Sequence, residues 1–230
     1  MEQNRQNTFL IPLAIIVAGG FVAAAIYFGT GSGNPTTTIT TDSPSREIDL
    51  APVTENDHII GSRDAALVIV EYSDTECPFC KTFQNTMKEI VQTYDGEVAW
   101  VYRHFPIAQL HTKAAKESEA TECAAELGGN QVFWNYLDKL FETTGSNDSL
   151  DPSELPKIAA AVGLDVTAFN VCLSSGRHAE LVKKSVEEAI KAGALGTPYS
   201  VIITKDGQKV LINGAEPIAM VKAKIDALLK

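Results

Sequence analysis

The chain begins with a hydrophobic block that has no charged position, Phe9 to Phe28. A helix of about twenty residues spans roughly 30 Å, the thickness of a bilayer core, so residues 9–28 predict a transmembrane anchor. Arg5 stands before it, and the positive-inside tendency places residues 1–8 in the cytoplasm. The block is longer than a usual signal-peptide core, which favours an uncleaved anchor; Ala23 to Ala25 supply the small residues that cleavage would need. From Gly29 to about Asn56 the pattern dissolves into Gly, Thr, Ser and Pro with few large apolar side chains. Such a stretch buries too little surface to offset its ordering entropy and predicts a flexible linker over 29–56.

Periodicity returns after residue 57. Ala66 to Tyr72 is rich in β-branched residues and predicts a buried strand. Lys81 to Tyr94 places Phe83, Met87, Ile90, Val91 and Tyr94 at helical spacing. Glu97 to Phe105 alternates as a second strand, ended by Pro106. Between about Leu110 and Leu195 the pattern is helical throughout. An Ala-rich helix stops at Gly128-Gly129, and residues 131–143 gather Val132, Phe133, Tyr136, Leu137, Leu140 and Phe141 on one face. Asp151 and Pro152 suit a helix start, and further helices are expected over 166–173 and 177–192. Tyr199 to Thr204 and Lys209 to Ile212 flank an Asp206-Gly207 turn, a hairpin signal, and Pro217 to Leu229 closes the chain as a helix. No internal repeat is visible.

Composition narrows the picture. The chain has 230 residues, of which 45% are hydrophobic, and roughly 175 remain for folding beyond the N-terminal segments, which suits one domain around one core. A formal net charge of −10 argues against a nucleic-acid partner.

The candidate chemistry lies in Cys77-Pro78-Phe79-Cys80. The pair sits where a strand turns into a helix, so free backbone N–H groups and the helix dipole favour a Cys77 thiolate. A thiolate is the attacking species in thiol–disulfide exchange, and a low-pKa thiol is a good leaving group. Cys80, one turn further in, is the expected resolving thiol. The four cysteines allow three full pairings. Cys123 and Cys172 are either buried free thiols or a second, structural disulfide, and an oxidising compartment favours the disulfide. Zinc would need two further ligands, and the chain has no second Cys-x-x-Cys and no His-x-x-x-His, so neither metal nor organic cofactor is expected. A tethered metal-binding module stays as the non-enzymatic alternative.

From about Ala65 to Lys230 the chain resembles the DsbA-like branch of the thioredoxin superfamily, especially its membrane-tethered, BdbD-like members. The resemblance rests on Cys77-Pro78-Phe79-Cys80 at a strand–helix junction, Arg103-His104-Phe105-Pro106 followed by His111, a helical block holding Cys123, and Gly196-Thr197-Pro198 before the hairpin. It implies an α/β thioredoxin fold over 57–230, interrupted by a helical insertion at about 107–194. The implied activity is that of an extracytoplasmic dithiol oxidase on a single-pass anchor in a bacterial cytoplasmic membrane. Its substrates would be reduced or unfolded secreted proteins, and its reoxidant a DsbB- or VKOR-type membrane oxidase.

By the same resemblance Pro198 is the cis-proline opposite the cysteines, and Pro78, Phe79, Thr197 and Pro198 border the substrate. Glu71 falls where thioredoxin-fold redox proteins carry a buried acid near the resolving thiol, which implies a proton acceptor for Cys80. Phe79 replaces the His of the best-known DsbA proteins and cannot donate from its side chain, so a less acidic Cys77 is expected. Thr197 stands where strong oxidases carry Val and leaves reductase or isomerase chemistry as the alternative. Asp74 and Glu76 are expected to oppose a nearby thiolate by their charge. His104 and His111 are expected to pack or cap rather than react.

Overall fold

A computed structural model describes residues 48–230. The expected anchor at 9–28 and residues 29–47 of the expected linker lie outside the described residues. Among the described residues no helix is long and apolar enough to cross a membrane.

Five strands form one sheet in the order β1-β3-β2-β4-β5. They are β1 (His58–Ile60), β2 (Leu67–Ser73), β3 (Val98–His104), β4 (Tyr199–Thr204) and β5 (Lys209–Asn213). Strand β2 runs parallel to β3 and antiparallel to β4, with Leu67 opposite Val98 on one side and Thr204 on the other. Helix α1 (Pro78–Thr93) makes the crossover from β2 to β3. The central position of β2 explains its sequence. All seven of its residues are buried, so it reads as a continuous apolar run rather than an alternating one.

The two faces of β2 serve different layers. Leu67 and Ile69, with Trp100, Tyr102 and Ile202, pack against Phe83, Met87 and Ile90 of α1 and against Val221 and Ile225 of α6 (Ile218–Leu228). Val68, Val70 and Tyr72, with Ala99, Val101 and Val201, pack against Ala189, Ala192 and Ala194 at the end of α5 (Ala179–Lys191). Glu71 shares the α1 face with Leu67 and Ile69, because side chains alternate along a strand.

Between β3 and β4 lies the helical insertion: α2 (Ala114–Thr143), α3 (Glu154–Ala161), α4 (Val166–Ser175) and α5. The two helices expected around Gly128-Gly129 are joined into α2 across a break at Gly129, whose φ of 75° suits a residue without a Cβ. The insertion has its own core, in which Ala120 and Tyr136 meet Ile158 and Phe169. Cys123 and Cys172 are bonded at 2.05 Å and staple α2 to α4.

Three details depart from the sequence reading. Strand β1 is too short to show a pattern; it exists because it pairs with β3, His58 opposite Tyr102. Asp151 does not cap α3: its Oδ1 accepts the Ser153 N–H at 2.8 Å and forms a turn that precedes the helix at Glu154. The end of the expected linker is docked. Leu50 is buried, and Arg103 donates to the Ala51 and Pro52 carbonyls at 3.0 and 2.9 Å. The folded body therefore includes residues 50–52, which the sequence assigned to the linker.

Candidate active site

Strand β2 ends at Ser73, a turn of three residues follows, and α1 starts at Pro78 with Cys77 as its N-cap. Proline at the first helical position loses nothing, since its missing N–H has no intrahelical partner there. Cys80 faces inward and is fully buried, while Phe79 is 65% exposed. Cys77 is only 6% exposed, less open than its place at a helix start suggested. Part of its surroundings comes from Thr197-Pro198, a cis peptide, whose Thr197 carbonyl lies 3.5 Å from Cys77 Sγ.

Both thiols are free in this structure, and their surroundings push them apart. The Cys80 S–H beside it lowers the Cys77 pKa to about 6, against the effect of burial; the Thr197 side chain and the Cys80 and Phe79 N–H groups add to the lowering. Phe79 thus contributes through its backbone what its side chain cannot. Cys80 is driven well above the usual thiol range by burial, by its bond to Cys77 and by the nearby Glu71. One thiol is ready to attack or leave as an anion, and its partner holds its proton.

Glu71 is fully buried. Its Oε2 accepts the Trp100 indole N–H at 3.0 Å, while Oε1 has no partner. Burial raises its pKa to about 7, so it exchanges a proton near neutral pH. The acids before the motif are each engaged by another segment. Asp74 Oδ2 accepts the Ile107 N–H at 2.7 Å and faces His111 Nδ1 at 2.9 Å. The Glu76 carboxylate is taken up by the 144–150 segment. His104 Nε2 meets Glu122 Oε1 at 2.7 Å, and His58 reaches the same oxygen at 3.1 Å, a packing role. Glu117, unmarked by any motif, is buried in α2 beside this turn; burial and the Glu76 and Asp74 carboxylates raise its pKa to about 8.

These two carboxyls dictate a pH dependence. Their folded values of about 7 and about 8 exceed the ordinary 4.5, so between those limits the folded chain holds protons that the unfolded chain has released. Stability must therefore fall as pH rises through this window, by on the order of a few kcal/mol for Glu71. Guanidinium unfolding of the oxidised protein, in which Cys77 does not titrate, should show this fall from pH 5 to 8. Glu71→Gln should reduce it to the share of Glu117; an unchanged slope in that variant would show that Glu71 titrates normally.

Paired thiols at a helix start, opposite a cis-proline on a five-stranded sheet with a helical insertion, define an oxidoreductase of the DsbA-like type. Residues 53–227 match the family model described as Thioredoxin. The chain belongs to this thioredoxin family. Among solved structures it is similar to Pseudomonas aeruginosa DsbA2, with 27% identity, a TM-score of 0.67, and coverage of 77% of this chain and 97% of that one. Bacillus subtilis BdbD shares the fold at 21% identity and a TM-score of 0.67, over 79% of this chain and 97% of its own. Curated relatives include the Na(+)/H(+) antiporter NhaA 3 of Salinispora tropica, 34% identical over 144 residues, which is 63% of this chain and 21% of the relative. NhaA 1 of Mycolicibacterium vanbaalenii is 33% identical over 146 residues, 63% of this chain and 23% of the relative. The matched stretch spans about a fifth of the length of these relatives.

Proposed function

We propose that this protein is a membrane-anchored dithiol oxidase that introduces disulfides into extracytoplasmic proteins. The observation that carries the reading is the asymmetry of the pair, with the Cys77 pKa held at about 6 and that of Cys80 pushed far up. A stabilised thiolate favours the reduced enzyme, and an enzyme stable when reduced is a strong oxidant. In the forward reaction a substrate thiolate attacks Cys77 Sγ and the Cys77–Cys80 bond breaks. Cys80 leaves as a thiolate and takes a proton, for which Glu71 is the nearby buried carrier. A second substrate thiolate then attacks the substrate sulfur of the mixed disulfide and expels Cys77 as a thiolate. Two substrate thiols have become one disulfide, and the enzyme holds the two electrons. A quinone-linked membrane oxidase of the DsbB or VKOR type would take them back. Phe79 and the Thr197-Pro198 segment offer an apolar and an extended edge to the incoming chain. Residues 9–28 supply the anchor and hold the domain near its reoxidant.

Thr197 beside Pro198 is the feature that favours a second reading, a reductase or isomerase on the same fold. The equilibrium of Cys77–Cys80 with glutathione separates the two. General reference points are about −120 mV for DsbA and about −270 mV for thioredoxin. A value in the oxidising half of that interval is expected; one close to thioredoxin would replace the oxidase reading with the reductase.

A further inference from the structure

Asp74, Thr75 and Glu76, the three residues before Cys77, are fully buried, and each is held by a different part of the chain. Asp74 Oδ2 is bound by the segment after β3, through the Ile107 N–H at 2.7 Å and His111 at 2.9 Å. The Thr75 hydroxyl donates to Glu117 Oε2 of α2 at 2.6 Å. Glu76 is grasped by the segment that follows α2. Its Oε1 accepts the Thr144 hydroxyl at 2.8 Å and the Leu150 N–H at 3.1 Å, its Oε2 accepts the Ser149 N–H at 3.0 Å, and its carbonyl accepts the Asn147 N–H at 2.7 Å.

The segment that does this is strained. Ser146, Asn147 and Asp148 have φ of 64°, 56° and 65°, three consecutive non-glycine residues in the left-handed region. L-residues avoid that region, so a run of three persists only where its surroundings over-determine it. Asp148 is fixed by the Thr112 hydroxyl at 2.6 Å and the Lys113 N–H at 2.8 Å. The Ser149 and Leu150 N–H groups close on the Glu76 carboxylate as a backbone nest closes on an anion. Here the anion belongs to the chain and adjoins the reactive cysteine.

We propose that Glu76 is a positioning residue for thiol exchange, through which the 144–150 segment fixes the Cys77 backbone at the start of α1. The inference rests on Cys77 being the nucleophile. The Cys77 backbone itself makes two hydrogen bonds: its N–H donates to the Asp74 carbonyl at 3.2 Å, and its carbonyl accepts the Lys81 N–H at 3.0 Å. The Cys80 and Phe79 N–H groups lower its pKa only while they point at the sulfur, and such bonds weaken steeply with misalignment. Lys81 strengthens the same link, since its Nζ donates to the Thr144 carbonyl at 2.5 Å. Glu76 thus favours the thiolate through geometry, although its charge alone would oppose it.

The test is the pH titration of thiolate ultraviolet absorbance in the reduced full chain, kept in detergent. In Glu76→Gln the amide nitrogen replaces an acceptor and meets the Ser149 N–H. This variant should raise the Cys77 pKa by about one unit, a roughly tenfold shift in ionisation equilibrium. Thr144→Val should act in the same direction, and Thr144→Ser should restore the wild-type titration. A folded Glu76→Gln protein with a lower melting temperature and an unmoved Cys77 titration would make Glu76 merely structural and overturn the proposal. If Glu76→Gln does not fold, the Thr144 pair decides by the same reading. Comparing wild type with Cys77→Ser tests the nucleophile by itself: loss of the low-pKa absorbance in Cys77→Ser, with the clamp variants silent, refutes the clamp and leaves the nucleophile standing.

Discussion

Cys77→Ser is expected to lower the rate of thiol–disulfide exchange by at least about a thousandfold, because a serine hydroxyl stays protonated at neutral pH and cannot form the mixed disulfide. Cys80→Ala should behave differently. Cys77 keeps its Thr197 and Phe79 partners, so it remains able to attack, but no neighbouring thiol remains to release the captured chain. A disulfide-bearing peptide should then accumulate as a covalent adduct, visible by mass spectrometry and cleared by dithiothreitol. The two variants together test the division of labour. Exchange surviving in Cys77→Ser, or adducts forming through Cys80 alone, would invert the assignment. The asymmetry of burial makes that inversion hard to achieve, since Cys80 is fully enclosed under α1.

Arg103→Ala should cost about 3–5 kcal/mol, the usual consequence of removing one member of a buried ion pair. Arg103 is 7% exposed and holds five contacts at once: Asp57 at 2.7 and 3.2 Å, the Ala51 and Pro52 carbonyls, and the Tyr72 hydroxyl at 3.0 Å. Truncation strands the Asp57 carboxylate and releases the segment that covers β2 and β3. At this chain size each kcal/mol moves the melting point by roughly 2–4 °C, so a fall of about 10 °C is expected in calorimetry. Arg103→Lys should recover only part of it, because an ammonium cannot serve a forked set of acceptors. A loss below about 1 kcal/mol would mean that the segment from residue 48 contributes little to the body.

What the sequence disclosed and what it hid follow one physical division. Elements whose signal is local were readable: the extent of β3 before Pro106, although its seven residues are all buried rather than alternating, the Asp206-Gly207 turn, and the Phe83-Met87-Ile90 stripe of α1. So was the reactive pair, because its spacing and its strand–helix context are local too. Whatever depends on which way a side chain turns was not. Asp74 and Glu76 read as charges that should oppose a thiolate, yet both are consumed by hydrogen bonds from distant segments. Glu117 looked like any acid on an Ala-rich helix, and its burial comes from the packing of α2 against the turn before Cys77. Arg103, placed next to His104 in a strand, carried no mark of the aspartate 46 positions earlier that it binds. Strand β1 has three residues and is a decision of the sheet rather than of its own sequence.

The order in which the site is assembled has a consequence for timing. Cys77 meets Thr197 across a separation of 120 residues, and β2 lies between β3 and the late strand β4. No early fragment of the chain contains both partners. Until Tyr199–Thr204 has joined the sheet, Cys77 lacks its Thr197 neighbour, while the Cys80 and Phe79 groups that lower its pKa already lie in its own helix. The Thr197-Pro198 side of the site is thus the last to be completed, and a chain still without it carries its thiol pair but not the edge that faces it.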